Sequence, residues 1–369
     1  MRKHLRQLWR CFLAPDEGFE VHALLGDRGE PGLREELAGF EREGLRVQWL
    51  PELGRALRPG RDWSAYRALK RALRERAPDI VHTHSAKAGF LGRLAASACG
   101  VRRIVHTPHV FPFLWTRGIT SSFYLALERY AAAKCHALVC VGDGQKDAAL
   151  ARGLAPAEKL VVIRNGVALP PAPDAARRLA ERARLGLPAD APAVGMVARL
   201  APQKGVGAFL EAAKLVLKRR PEALFVLLGD GPLEAEVRAR AAALGLDRQR
   251  MRILGHVEDA EARYPAFDAL ALSSLYEGLP YVLLEALAWG VPVVATDVLG
   301  SRDVIAHEET GLLARSGEPA DLAAQLERLL GDATLRARLG EAGRRRVGER
   351  FALETFLEGH RRLYRAGPA

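Results

Sequence analysis

The stretch SSLYEGLPYVLLEAL at residues 273–287, which follows a short apolar run, decides how the second half of the chain folds. It predicts a strand end, then a turn with Glu277, Gly278 and Pro280, and then a helix that opens near Tyr281. Proline at a first helical position, with glycine just before it, suits a helix start. Because such a start aims free backbone N–H groups at an anion, we expect a phosphate to be held there without a side chain.

Short apolar runs alternate with helical segments along the whole chain. In the first half we expect strands at residues 19–25, 45–50, 79–84, 103–107, 137–141 and 160–163. In the second half we expect them at residues 193–197, 224–228, 251–254, 269–272 and 291–295. Continuously apolar strands that are each followed by a helix indicate parallel sheets covered on both faces. The predicted fold class is therefore α/β, with two doubly wound parallel-sheet domains and ligand sites at the carboxyl ends of the strands.

The length of 369 residues suggests two domains. The proline-rich stretch ALPPAPD at residues 168–174 has the composition of a linker. We therefore expect a first domain at residues 1–168 and a second at residues 169–350. Residues 351–369 would add one more helix, which crosses back to the first domain.

Composition and charge narrow the class of protein. The chain is 49% apolar and 27% charged, as in ordinary folded proteins. No apolar run approaches the roughly 18 residues of a membrane span, and Arg6 and Arg10 interrupt any secretory signal, so we expect a cytoplasmic protein. The net charge is +11, and the first 170 residues carry most of the excess. A basic first half favours an anionic partner.

Two further loops follow predicted strands. In VARLAPQKG, residues 197–205, Arg199 and Lys204 stand five apart, and two cations at a strand end can neutralise a diphosphate. In GDGP, residues 229–232, Gly229 and Gly231 allow the backbone to approach a ligand closely. Taken alone, the first loop would be solvated surface and the second an ordinary turn.

A pair of carboxylates belongs to the 273–287 stretch. Glu285 lies in the first turns of the predicted helix, eight residues after Glu277. A carboxylate there can accept two hydroxyl hydrogen bonds, as a ribose diol offers. By itself the pair is more typical of solvated side chains, but the strand–turn–helix context favours a binding role.

These three segments together resemble the nucleotide-sugar-binding domain of GT-B glycosyltransferases, specifically the large retaining family 4. The first half supports the resemblance, since DIVHTHSAKAGFLGR (79–93) and RIVHTPHVF (103–111) look like the acceptor-side domain of that family. The segment VIRNGV (162–167) looks like its exit to the linker. The resemblance implies a GT-B fold with an interdomain cleft. It also implies transfer of a sugar from a UDP-sugar, or alternatively a GDP-sugar, to a glycan or lipid-linked acceptor.

The resemblance also assigns roles on the nucleotide side. Arg199 and Lys204 would bind the diphosphate of the donor and stabilise it as the leaving group. Glu285 would hold the ribose hydroxyls. Gly229 and Gly231 would let the backbone approach the nucleotide.

On the sugar side, the resemblance implies that Glu277 contacts the transferred sugar and the phosphate. Three residues would contribute backbone to the same contact: Gly278, Leu279 and Pro280. His109 matches the family histidine beside the anomeric carbon, and the nucleobase would lie near the backbone of His256 and Val257. Retention would proceed by front-face attack, with the departing diphosphate oxygen helping to take the acceptor proton.

We expect neither a metal ion nor a cofactor. No D-x-D triplet occurs in the sequence, so Arg199 and Lys204 would replace a metal clamp on the diphosphate. His82 and His84 lie two residues apart on a strand and face the same way. With His106 and His109 they suggest zinc, but no acidic or cysteine partner stands at a suitable spacing. Hydrogen bonding at strand ends is the alternative for His82 and His106, and His84 or Lys87 would line the acceptor side.

The segment from Asp62 to Arg76 is predicted to form a basic amphipathic helix. Its apolar residues fall on a roughly common side: Trp63, Tyr66, Leu69 and Leu73. This stripe either packs on the sheet or contacts an anionic membrane, as some relatives do to reach lipid-linked acceptors. The second alternative adds peripheral localisation at the inner face of the membrane. Nucleic acid is not an expected partner, because no helix-turn-helix, zinc finger or aromatic–basic RNA motif occurs.

The sequence departs from the family at its start. The family normally opens with a strand and a glycine-rich loop that approaches the donor. This sequence begins in residues 2–13, which match the first helix of the family, and continues to the second strand at Phe19. We expect either a start codon further upstream or a non-catalytic relative that binds nucleotide sugars or acts as a scaffold, and the other site residues favour the first.

Overall fold

The computed structural model describes residues 2–26, 32–54 and 56–366, and the chain divides into two compact units. The first unit is formed by Met1–Ile163 and Phe356–Ala369, and the second by Arg164–Thr355. The boundaries expected from the sequence, at residues 168 and 350, lie a few residues inside the two ends of the second unit.

Two parallel sheets form the first unit. Their strands are β1 (His22–Leu25), β2 (Arg46–Trp49), β3 (Ile80–His84), β4 (Arg103–Thr107), β5 (Ala137–Cys140) and β6 (Leu160–Val162). β1 pairs with β2, and the other four follow the order β3-β4-β5-β6. The helices are α1 (Arg2–Phe12), α2 (Leu33–Arg42), α3 (Pro59–Arg76), α4 (Ala86–Ala98), α5 (Gly118–Ala132) and α6 (Asp143–Ala151).

A cavity of about 1280 Å³ in the first unit is lined by every residue of β1 and of β3. In the part of the chain that the structure describes, β1 pairs only with β2, and β3 only with β4. The two sheets therefore remain separate, and each presents a strand edge to this cavity. Open edges expose unpaired backbone N–H and C=O groups.

The second unit contains one parallel sheet of six strands in the order β12-β11-β10-β7-β8-β9. The strands are β7 (Ala193–Val197), β8 (Leu224–Leu228), β9 (Met251–Gly255), β10 (Ala269–Leu272), β11 (Val293–Thr296) and β12 (Leu312–Ala314). The helices are α7 (Ala175–Arg184), α8 (Val206–Arg219), α9 (Glu234–Ala243), α10 (Tyr281–Ala288), α11 (Leu299–Val304), α12 (Pro319–Gly331) and α13 (Ala333–Arg350). β7 and β10 are neighbours at the point where the strand order reverses, so the loops after them border the crevice where such sheets bind ligands.

The core of the second unit explains why its strands are continuous apolar runs. All five residues of β8 are buried, because helices cover both faces of a doubly wound sheet. Phe209 on α8 packs edge-on against Phe225 on β8, with ring centroids 5.8 Å apart. The short strand β12 was not predicted.

The buried face of helix α3 differs from the apolar stripe that the sequence predicted. Leu69 and Leu73 are buried, together with three small residues of the same helix: Ala65, Ala68 and Ala72. Trp63 is 61% exposed and stacks on Tyr66, with ring centroids 5.5 Å apart. The buried face is therefore built from alanine and leucine, which allow α3 to pack against α4, while the indole stays outside.

The last helix, α14 (Leu353–Arg365), begins in the second unit and lies for most of its length in the first. Within the first unit, the buried rings of Phe356 and His360 both contact the ring of His4 on α1. Arg361 pairs with Glu17, with 2.5 Å between Nε and Oε1. Among the helices that the structure describes, none is both long enough and apolar enough to cross a bilayer.

Candidate active site

Two loops of the second unit, one after β7 and one after β10, are tied together by hydrogen bonds. The backbone N–H of Leu275 donates to the carbonyl of Gln203 at 2.8 Å, and the Gln203 side chain donates to the carbonyl of Tyr276 at 2.9 Å. The Ser273 hydroxyl donates to the carbonyl of Lys204 at 3.0 Å. The two segments singled out in the sequence therefore meet at the carboxyl edge of the sheet.

This junction places Lys204 against Glu277. Their Nζ and Oε1 atoms lie 2.5 Å apart, and the side chains are only 18% and 7% exposed. The hydroxyl of Ser274 donates to the same carboxylate oxygen at 2.6 Å, and Gln203 donates to the other at 3.4 Å. A lysine ammonium has three donors, so this pairing leaves Lys204 with hydrogen-bonding capacity for a further oxygen ligand.

The turn after β10 is held from its other side as well. Thr296, at the end of β11, donates its hydroxyl to the carbonyl of Ser274 at 2.5 Å. Gly300 on α11 lies so close that a Cβ atom there would stand 2.3 Å from the carbonyl oxygen of Gly278. The turn is thus in contact with β11 and α11 as well as with the loop after β7.

The loop after β8 packs against the loop after β7 through glycine. Gly229 has φ +134°, and a Cβ atom there would stand 1.9 Å from the carbonyl oxygen of Ala198. At Gly231 the corresponding distance to the Leu200 oxygen is 2.5 Å. A side chain at either position would overlap the loop after β7, so both positions require glycine. The loops after β7, β8 and β10 are therefore in contact with one another in one assembly.

Helix α10 begins beside this assembly. Pro280 is its N-cap, in extended conformation, and Tyr281 is its first helical residue. The helix therefore begins at Tyr281, where the sequence predicted it, and Pro280 belongs to the preceding turn. No described side chain caps the helix, and its first turn has no acidic residue. The first backbone N–H groups of a helix have no partner within it, and the helix dipole favours an anion there.

Glu285 has a partner that the sequence did not reveal. The hydroxyl of Tyr264 donates to its Oε2 at 2.8 Å, and the Tyr264 side chain is fully buried. Burial, followed by the negative charge of Glu285, holds the pKa of Tyr264 well above its usual value. The same two causes raise the pKa of Tyr281. Both phenols therefore remain protonated next to the carboxylate.

Other predicted residues of the second unit lie nearer the solvent. Arg199 is exposed, and its side chain makes neither a hydrogen bond nor an ion pair with any residue that the structure describes. His256 is 73% exposed and lies 3.9 Å from Asp230. Val257 is half-buried. Arg199 and Lys204, which were both predicted to neutralise a diphosphate, thus have different surroundings.

In the first unit, His109 follows β4 in a constrained loop. Its φ of +61° lies in the left-handed region, which is uncommon for a residue other than glycine. The side-chain amide of Gln145 donates to the backbone carbonyl of His109 at 3.2 Å. The Nδ1 atom of His84 lies 3.2 Å from the Nε2 atom of His109. Positive φ values of this kind cluster at functional sites.

The remaining predicted histidines are engaged in hydrogen bonds within the first unit. His82 bonds Tyr364 at 2.5 Å and Thr107 at 2.7 Å, and His106 bonds Thr83 at 2.9 Å. Burial lowers the pKa of both histidines. Within residues 2–26, 32–54 and 56–366, no group of three or more histidine, cysteine or acidic side chains is arranged to hold a metal ion.

Two family models match the chain. Residues 177–346 match glycosyl transferases group 1, and residues 1–166 match a glycosyl transferase 4-like domain. The Escherichia coli UDP-Gal:alpha-D-GlcNAc-diphosphoundecaprenol alpha-1,3-galactosyltransferase is 32% identical over 305 residues, which cover 82% of this chain and 77% of that protein. The alpha-D-kanosaminyltransferase of Streptomyces kanamyceticus is 29% identical over 308 residues, which cover 80% of this chain and 79% of that one.

Solved structures show the same fold. The structure of Anabaena Alr3699/HepE with UDP and glucose superposes with a TM-score of 0.79 at 21% identity, covering 95% of this chain and 93% of that one. Sucrose-phosphate synthase from Thermosynechococcus elongatus gives 0.81 at 23% identity, covering 98% and 92%. The expectations of a GT-B fold and of a glycosyltransferase are confirmed. This chain belongs to the group 1 glycosyltransferases and is an enzyme of glycoconjugate biosynthesis.

Proposed function

We propose that this enzyme transfers a sugar from a nucleoside-diphosphate-sugar, most simply a UDP-sugar, to a glycan or lipid-linked acceptor, with retention of configuration and without a metal ion. The observation that carries the proposal is the junction of Lys204, Glu277 and the start of α10 at the carboxyl edge of one sheet. The names of the E. coli relative and of the Anabaena structure, which mention UDP-Gal and UDP, support this donor class.

The leaving diphosphate is the group that the site must stabilise, because negative charge builds on it as the glycosidic bond to phosphate breaks. Lys204 and the N–H groups at the start of α10 supply fixed positive charge and dipoles there. Arg199 has no competing partner among the described residues, so it can fold over the diphosphate without breaking an ion pair. An arginine fork binds phosphate oxygens in pairs.

The two carboxylates, Glu277 and Glu285, bind the transferred sugar and the ribose in this proposal. Ser274 and Gln203 donate hydrogen bonds to Glu277, and we infer that this held carboxylate contacts the hydroxyls of the transferred sugar. The backbone of the adjoining turn contacts the same sugar and the phosphate: Gly278, Leu279 and Pro280. Glu285 accepts the ribose hydroxyls, and the nucleobase lies along the backbone at His256 and Val257.

Retention follows from attack on the face from which the diphosphate departs. The bond between the anomeric carbon and the phosphate oxygen breaks, and a bond from that carbon to the acceptor oxygen forms. The acceptor proton passes to the departing diphosphate oxygen. The role of His109 beside the anomeric carbon rests on the family resemblance, and His109→Ala tests it through kcat.

Contact with an anionic membrane is the second part of the proposal and concerns α3. Exposed Trp63 lies on the same helix as three exposed arginines: Arg67, Arg71 and Arg74. An aromatic side chain that enters the interface and cations that meet anionic headgroups are the two elements of such binding. The E. coli relative, whose name includes a diphosphoundecaprenol substrate, supports a lipid-linked acceptor.

Thermal unfolding with UDP, GDP or ADP, in EDTA, tests the donor site. A ligand at about 100 times its Kd adds roughly 2.7 kcal/mol, which raises Tm by several degrees in the unit that binds it. We expect one of the three nucleotides to do this, and Lys204→Ala and Glu285→Ala to reduce the shift. Lys218→Ala, an exposed lysine on α8, is the matched control. If none of the three nucleotides changes Tm, the donor-site proposal is wrong.

A further inference from the structure

We propose that Tyr264 is a positioning residue, which orients Glu285 for the ribose of the donor and thereby sets a preference for ribonucleotides over their deoxy analogues. This inference rests on the proposed role of Glu285. Its starting point is the 2.8 Å hydrogen bond from the Tyr264 hydroxyl to Glu285 Oε2.

The direction of this hydrogen bond is fixed by chemistry. A carboxylate only accepts, so the phenol must donate. The terminal torsion of a glutamate is broad, so the orientation of its carboxylate plane depends on the groups that contact it. A donor held at one oxygen restricts that rotation, while the carboxylate keeps further lone pairs for the two hydroxyls of a ribose.

Tyr264 can restrict Glu285 only if it is itself held, and α7 holds it. Tyr264 lies in a 3-10 segment, residues 260–266, whose carbonyls are clamped by two arginines of α7. Arg182 donates to the Ala266 oxygen at 2.8 Å, and Arg178 donates to the Pro265 oxygen at 3.1 Å.

The two clamping arginines are also anchored. Arg182 is 1% exposed, and Arg178 forms an ion pair with Asp268 at 2.8 Å. Asp268 in turn accepts the backbone N–H of Ala193, the first residue of β7, at 2.9 Å. The phenol therefore belongs to a rigid chain of contacts that runs from the central strand to Glu285.

A pre-oriented carboxylate lowers the conformational cost of binding, but only for a ligand that uses the carboxylate. The contribution of Tyr264 should consequently depend on the presence of the ribose hydroxyls. Ribose contacts do not change during sugar transfer, so removal of the phenol should raise KM and leave kcat near its original value.

Calorimetric titration with UDP and with 2′,3′-dideoxy-UDP tests this inference. We expect Tyr264→Phe to weaken UDP binding about 10-fold, which corresponds to about 1.4 kcal/mol, and to leave dideoxy-UDP binding unchanged. Tyr130→Phe, an exposed tyrosine in the first unit, should change neither. In the Glu285→Gln background, Tyr264→Phe should have a smaller effect on UDP binding, because the two residues act as one unit.

The outcomes separate the two proposals. If the wild-type enzyme binds none of UDP, GDP and ADP, the donor site itself is wrong. If it binds UDP, but Tyr264→Phe weakens UDP and dideoxy-UDP equally, then Tyr264 supports only the local fold and the inference is overturned. Each titration is run below the Tm of the variant, so that a less stable protein is still folded. If Tyr264→Phe has the same effect on UDP binding in the wild type and in the Glu285→Gln background, the inference is also overturned.

Discussion

Acidification from pH 7 to pH 5 should destabilise the first unit, because this unit packs five histidine rings together and holds the pKa values of two of them well below 6.5. The histidine cluster consists of five residues: His4, His82, His84, His109 and His360. The rings contact one another at centroid distances between 4.2 and 5.8 Å. Burial lowers the pKa of His84 from 6.5 to about 3 and that of His360 from 6.5 to about 4.

The sign follows from proton uptake. Between pH 6.5 and the lowered pKa values, these histidines are protonated in the unfolded chain and neutral in the folded unit. Because the unfolded state binds more protons, the free energy of unfolding falls as the pH falls. A histidine that is protonated only in the unfolded state at pH 5 lowers the free energy of unfolding by about 2 kcal/mol relative to neutral pH. His84 and His360 together therefore remove about 4 kcal/mol, a large part of the usual 5–15 kcal/mol.

Urea unfolding at pH 7 and pH 5, followed by tryptophan fluorescence, measures this loss. Trp9, Trp49, Trp63 and Trp115 belong to the first unit, and only Trp289 belongs to the second, so the signal reports mainly on the first unit. His360→Gln should recover about 2 kcal/mol of the loss between the two pH values, since it removes one titrating group. His256→Gln, which changes an exposed histidine of the second unit, is the control for a fluorescence signal that reports mainly on the first. An equal loss in wild type and His360→Gln would refute the reasoning.

Three further predictions concern the second unit and α3. Lys204→Ala should lower kcat/KM by about 10²-fold or more, because one positioned electrostatic contact to a developing charge is removed, and Lys204→Arg should restore part of the rate. Gly229→Ala should lower the free energy of unfolding by about 2 kcal/mol or more, since its Cβ would overlap the Ala198 carbonyl, whereas Gly245→Ala, which also has positive φ but open space around it, should cost about 1 kcal/mol. Trp63→Ala should reduce sedimentation with anionic vesicles at low salt, while Tyr130→Ala should not.

Each of these predictions has a result that would contradict it. Wild-type turnover in Lys204→Ala would remove the lysine from the diphosphate site. Equal unfolding free energies for Gly229→Ala and Gly245→Ala would mean that the close approach of the two loops is not needed for stability. If neither wild type nor Trp63→Ala sediments with vesicles, α3 does not bind anionic lipid, and its exposed aromatic residue needs another explanation.

Much of the sheet framework could be predicted because a parallel strand between two helical layers must be apolar throughout. The predicted and observed bounds coincide for β4, β7, β8 and β10. The three-residue strand β12 carries too short a run for such a pattern. The stripe predicted on α3 is half right, since Leu69 and Leu73 are buried but Trp63 is exposed. Helical spacing cannot tell which of two adjacent faces is buried, and the alanines at positions 65, 68 and 72 join the two leucines on the buried face.

The sequence could predict that the loops carrying Lys204 and Glu277 lie close together. Two loops that follow strands of one parallel sheet must lie at the same edge, and strands at the reversal of strand order are neighbours. The partners Tyr264, His4 and His360 were not accessible. They come from a 3-10 segment and from helices whose packing depends on the whole fold, and nothing in their spacing points to the residues that they contact.

The pairing of Lys204 with Glu277 suggests how such a site can exist before the donor arrives. A lone ammonium in a crevice where the side chain is largely buried would lose hydration, and the carboxylate offsets that cost. Because Ser274 and Gln203 hold the carboxylate, Lys204 is already placed at the edge of the sheet when a diphosphate binds. In the proposed reaction Lys204 then shares its donors between Glu277 and the phosphate, and exposed Arg199 supplies the additional charge that a metal ion would otherwise provide.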